Sequence, residues 1–203
     1  MLKVLMIIAC LGHVLCGITD CMMAYTKDGR FEFTDTKDPA GMRKLFQSMT
    51  TKRLEIAMLG GIFALFMSSL GYVSLSKWMT DYSDIAGKIM MVSGLFFLIL
   101  IATHHVLCGT VEWFYVRLGR TDEALAVVME FFRRTAISAV AYVGLLCFAL
   151  TFGIVVLIGK TSLPPWACVF NTFPIFLVLA PTKVPAKGNL ANAVMFLGMS
   201  ILL

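Results

Sequence analysis

Charge is scarce in this sequence. Only 14% of its 203 residues are charged, 59% are hydrophobic, and the mean hydropathy is +0.87. Soluble domains carry about 25% charged and about 45–50% apolar residues. A single globular core cannot absorb that excess, whereas burial in lipid can. Cysteine pairs are also missing. Cys10, Cys16, Cys21, Cys108, Cys147 and Cys168 all lie in or at the ends of apolar stretches, none forms a CxxC pair, and the loops hold none. This argues against a secreted disulfide framework and leaves small buried thiols in a helix bundle. Nor is there a clean small-x-small cleavage site after the opening Met1-Leu2-Lys3 and its apolar run. That run contains His13 and Asp20 and reads as a retained first helix. The fourteen methionines are scattered and form no copper-type cluster.

What is present is a succession of apolar segments, roughly 3–25, 54–76, 86–117, 134–159, 164–181 and 189–203. About 20 residues span a hydrocarbon core. The first four reach that length; the last two are short and read as a tight hairpin over 164–203. Lipid offers no partner for backbone N–H and C=O groups, so each segment is expected to be helical. The fold class expected is therefore all-α: one transmembrane domain over 1–203, a polytopic bundle of about six helices. The formal net charge of +5 superficially suits a nucleic-acid partner. The basic residues fall in the loops, however, where they bias topology and attract anionic headgroups. The partner expected is the bilayer, with no nucleic acid. Thirteen Lys and Arg lie in the odd-numbered loops against four on the other side. This places the odd-numbered loops in the cytoplasm and both termini outside, with Lys3 arguing mildly the other way.

Two amphipathic stretches interrupt the apolar pattern. Asp38-Pro39 reads as an N-cap and N1 proline opening a short interfacial helix over 39–52. Thr121-Asp122-Glu123 caps another over 122–134. Asp28-Gly29-Arg30 reads as a turn, and Pro174 is expected to bend or interrupt the fifth helix.

One pattern carries chemistry. Residues 13–20 read His-Val-Leu-Cys-Gly-Ile-Thr-Asp and residues 105–112 read His-Val-Leu-Cys-Gly-Thr-Val-Glu, five identities followed by an acid at the same place, 92 residues apart. The spacing suggests an internal parallel repeat, with halves of about 1–80 and 86–160. At about 100° per residue, His13, Cys16, Gly17 and Asp20 share one face, as do His105, Cys108, Gly109 and Glu112. Ionisable groups facing lipid are costly, so both stripes should face the interior. With pseudo-symmetry, the two histidines would lie at one depth and the two carboxylates at another, about 10 Å away. Candidate ligand-binding residues are therefore His13, Cys16, Asp20, His105, Cys108 and Glu112. Asn171, beside Pro174, joins them as an amide that could line a cavity, or could equally be a self-satisfied kink.

The plainer alternative is that the repeat records duplication and that the stripes only hold helices together. A third reading assembles His13, Cys16, His105 and Cys108 into a metal or haem site. A fourth is an intramembrane enzyme, for which no nucleophile–base pair is visible from spacing; a structural or accessory subunit is a fifth.

Gly17-x-x-Asp20-x-x-x-x-Tyr25 closes the first segment, and Glu112-Trp113-Phe114-Tyr115-Val116-Arg117-Leu118-Gly119 closes the third. Pro164-Pro165-Trp166 followed by Phe170-Asn171-Thr172-Phe173-Pro174 marks the fifth. Together these resemble a family of uncharacterised bacterial six-helix membrane proteins of about this length. The resemblance implies the fold and a bacterial inner-membrane location, and it supplies no activity. The function expected from the residues is to bind or move a small or amphipathic, lipid-like ligand between the first and third long helices, in a monomer or homo-oligomer.

Overall fold

The computed structural model describes residues 1–203 and is almost entirely helical. Its helices are α1 (Leu2–Ala24), α2 (Pro39–Leu45), α3 (Thr51–Thr80), α4 (Asp84–Arg117), α5 (Asp122–Thr135), α6 (Ser138–Leu157), α7 (Thr172–Leu179) and α8 (Lys187–Leu202). Four stretches are long and apolar enough to cross a membrane: α1, α3, α4 and the nearly continuous α5–α6 run, Asp122–Leu157. That run breaks at Ala136–Ile137 between an amphipathic α5 and a uniformly apolar α6.

The helix starts follow the local chemistry expected of them. Asp38 accepts from Ala40 N ahead of Pro39 at N1, and the Thr121 hydroxyl accepts from Ala124 N. A hairpin with a two-residue turn at Lys27–Asp28 pairs Tyr25–Thr26 with Gly29–Arg30, and Gly29, which leaves the turn, has φ +145°. Two expectations are corrected. The interfacial helix ends at Leu45 rather than residue 52, and Thr50 caps α3 separately. The fifth apolar segment forms no spanning helix. After Pro164 it makes a 3-10 turn, Pro165–Phe170, and then the eight-residue α7. Pro174 lies within the first turn of α7, where its missing N–H costs nothing, so the break falls at Asn171. α8 has sixteen residues, about 24 Å, short of a hydrocarbon core of about 30 Å.

α3 packs against both α1 and α4; α6 packs on α4, and α8 on α1. α1 and α4 themselves scarcely touch. Close approach of α1 to α3 depends on Gly12, where a Cβ would come within 2.7 Å of Ala64 O and Ser68 N. The outward faces are apolar: Ile7, Leu11, Val14 and Ile18 on α1, and Leu59, Phe63 and Phe66 on α3, are all exposed. An apolar outer surface of this kind is compatible with helices that cross a membrane.

Two large apolar cores form, with a small cluster of Cys16, Ala64 and Leu65 besides. One surrounds Tyr72 with Met6, Phe97, Phe148 and Phe196; the other, towards α2 and α5, contains Phe46, Leu54, Tyr115, Leu125 and Phe132. In sequence along α1, α3 and α4, the His/Cys/acid stripes fall between these two cores.

Candidate functional site

His105 on α4 occupies the middle of this polar layer. Its Nδ1 lies 3.0 Å from Asp20 Oδ1 on α1, and its Nε2 donates to Ala57 O on α3 at 3.1 Å. The ring sits in space left by Gly61, where any Cβ would overlap the imidazole. Asp20 and His105 are 85 residues apart, whereas the two motifs repeat every 92. The copies therefore meet out of register by seven residues, two helical turns or about 10 Å. The acid of the first motif pairs with the histidine of the second.

This corrects the expected depths: His105 lies level with Asp20, not with His13. The physical reason is that α1 and α4 do not set their register on each other. Each packs separately on α3, with Gly12 of α1 against Ala64 and Ser68, Thr19 beside Gly60, and His105 of α4 against Gly61.

The slip leaves one member of each motif without its counterpart. His13 Nδ1 donates to Asn189 Oδ1 on α8 at 3.0 Å; its ring stacks on Phe196, and its Nε2 is buried with no partner. Asn189 Nδ2 donates to Asp20 Oδ2 at 2.7 Å. One amide thus joins His13 to the Asp20–His105 pair. At the other end, Glu112 is 8% exposed, and its Oε2 has no hydrogen-bond partner. The Tyr115 hydroxyl, one turn further along α4, is likewise buried and unpartnered. Unsatisfied buried polar groups are uncommon, and Glu112 and Tyr115 bring two of them together on one stretch of α4.

Two cavities flank the pair, and both are lined by Asp20, Met23 and Cys108. The larger, about 420 Å³, lies between α1, α4, α5, α2 and the Arg30–Phe33 segment. Its wall is mostly apolar, with Asp20 and Glu112 both facing it. The smaller, about 220 Å³, is lined by Cys16, His104, His105, Tyr142, Asn189 and Asn192 among others. The Asp20 side chain keeps 36% of its exposure against 4% for His105, so the carboxylate is the open side of the pair.

The remaining candidates separate. Cys16 is buried beside Asp20 and His105, and the nearest ligand atoms of all three lie within 4.8 Å of one another. Cys108 Sγ lies 3.5 Å from His104 Nε2 on its own helix. The set His13, Cys16, His105 and Cys108 is not drawn together as one metal site; the grouping found is Cys16, Asp20 and His105. Asn171 lies outside both cavities. Its Oδ1 accepts from Phe173 N and its Nδ2 donates to Ala149 O at 2.7 Å, the arrangement of a cap that fastens α7 to α6. Sequence reasoning missed Asn189 and Asn192. Two amides three residues apart in an apolar segment were the available signal.

The fold is thus a helical bundle with four stretches long and apolar enough to cross a membrane, enclosing a buried His/Cys/carboxylate layer. The chain belongs to a family of unknown function, DUF6796, whose sequence model matches residues 1–202. No curated protein and no solved structure matches it.

Proposed function

We propose that this is a multi-pass integral membrane protein that binds or moves a small amphipathic ligand between α1 and α4, with the α2/α5 end in the cytoplasm. What carries the reading is the larger cavity, in which Glu112 Oε2 and Tyr115 Oη are buried without partners against an apolar wall. A volume of about 420 Å³ suits a small ligand. The chemistry favours an apolar body with a hydrogen-bond-donating head, best a primary amine, which offers Glu112 a charge-assisted bond. Duplication followed by a seven-residue slip accounts for why one acid is paired and the other free to take a ligand.

The test uses the full chain in lipid nanodiscs with dodecylamine as probe and dodecanoate as control, read by native mass spectrometry. Saturable amine binding is expected, with little uptake of the carboxylate. Glu112→Gln replaces a charge-assisted bond, worth about 1.5–3 kcal/mol, by a neutral one of about 1 kcal/mol, so affinity should fall about twofold to thirtyfold. Non-saturable uptake, or equal binding by Glu112→Gln, would sink the reading.

A further inference from the structure

The hydrogen bonds around His105 leave one position between ring and carboxylate that either a proton or a metal ion can fill. Ala57 O can only accept, so Nε2 of His105 carries a hydrogen. Asp20 Oδ2 already accepts from Asn189. The remaining ring nitrogen and carboxylate oxygen face each other at 3.0 Å, and as bare lone pairs they would repel. One proton between them satisfies both; so does a metal ion displaced towards a third donor. Cys16 Sγ is that donor, since the nearest ligand atoms of Cys16, Asp20 and His105 lie within 4.8 Å of one another. In a tetrahedral zinc site, bonds of about 2.0–2.3 Å place ligand atoms roughly 3.3–3.8 Å apart. The thiol therefore has at most about 1.5 Å to close.

We propose that Cys16, Asp20 and His105 bind a divalent transition-metal cation, Zn²⁺ by the character of its donors, with the fourth coordination position open to the 220 Å³ cavity. Thiolate, imidazole and carboxylate together suit zinc rather than magnesium or calcium, and three protein ligands with one open position is the pattern of reactive rather than structural zinc. The surroundings match a built site. The His105 Nε2–H bond to Ala57 O fixes the tautomer that leaves Nδ1 free to coordinate, and the Asn189 amide orients the carboxylate from behind. Gly61 provides the seat for the ring. His104, whose buried Nδ1 has no partner, and Cys108 line the same cavity, so further soft donors stand near the open position.

The exchange balances in charge. Zn²⁺ enters as the shared His105–Asp20 proton and the Cys16 thiol proton leave. The site carries no net charge before or after, which matters where uncompensated charge is costly. The proposal does not depend on the amphipathic-ligand reading. Glu112→Gln should leave metal binding unchanged, and Cys16→Ser should leave dodecylamine binding unchanged, so the two can fail separately.

The experiment is titration of the chelator-stripped full chain, in detergent, with Co²⁺ and then Zn²⁺, followed by absorption. One Co²⁺ per chain is expected, with a near-ultraviolet thiolate-to-cobalt band that Zn²⁺ abolishes. Cys16→Ser is the informative variant, because it is close to isosteric and leaves the Asn189–Asp20–His105 bonds in place. It should remove the band and weaken Zn²⁺ binding by at least about tenfold, while Cys108→Ser keeps both. A wild type that takes up no Co²⁺, a band that survives Cys16→Ser, or a band lost with Cys108→Ser each overturns the assignment.

Discussion

Replacing Gly61 by alanine tests the geometry of the polar layer directly. The new Cβ would overlap the His105 ring at Nε2, and the ring cannot turn away without losing Asp20 or Ala57 O. Overpacking of this kind costs about 1–3 kcal/mol. Giving up the two bonds of the ring adds about 0.5–1.5 kcal/mol each. Alanine returns about 1 kcal/mol of helix propensity relative to glycine. The net expectation is a loss of about 1–5 kcal/mol. Gly17→Ala is the matched control on the first motif, because its Cβ would meet only Ala186 Cβ at 3.4 Å and Asn189 Cβ at 3.6 Å, ordinary contacts. The assay is reversible unfolding of purified protein in mixed micelles, for wild type, Gly61→Ala, Gly17→Ala, His105→Ala and the Gly61→Ala/His105→Ala double variant. Removing the ring vacates the space the new methyl needs, so the double variant should be no less stable than His105→Ala alone. The implied coupling is then the cost of Gly61→Ala itself, about 1–5 kcal/mol. If Gly61→Ala is as stable as wild type, or its cost is the same with and without the His105 ring, the seat described for His105 is wrong.

Two further outcomes follow from the hydrogen bonds. Asn171→Ala removes the α7 cap and one bond to Ala149 O, so it should cost about 1–3 kcal/mol in the same unfolding assay. Co²⁺ and dodecylamine binding should be unchanged, because Asn171 lines neither cavity; an effect on either would return it to the site. Arg120, at φ +59°, donates to Phe46 O and Met49 O and so fastens the α4–α5 loop over the end of α2. Arg120→Ala should increase amide exchange across residues 39–50 while leaving the Tyr72 core protected; unchanged exchange there would refute the role given to that side chain.

Much of this architecture was legible in the sequence. Apolar runs of more than 20 residues must become helices once water is excluded, because the backbone has no other partner. The first four segments accordingly emerged close to their expected bounds. Local caps were equally readable: Asp38-Pro39 and Thr121 act over two or three residues and depend on little else. The fifth segment was misjudged because hydropathy counts Pro164, Pro165 and the capping Asn171 as interruptions too brief to register, whereas one committed side chain suffices to end a helix.

Sequence periodicity alone also placed His, Cys and acid on one face of each motif, because 3.6 residues per turn fixes that whatever surrounds the helix. It could not fix the depth of one helix against another. That register was decided by α3, through Ala64 and Ser68 against Gly12 and through the space at Gly60 and Gly61, and it set Asp20 opposite His105 instead of Glu112 opposite Asp20. Nor could it bring in Asn189, which reaches His13 and Asp20 from 176 and 169 residues away. Composition and period act along one chain segment; the pairing of charges depends on how separate segments slide past one another before they lock, and only the packed bundle settles that.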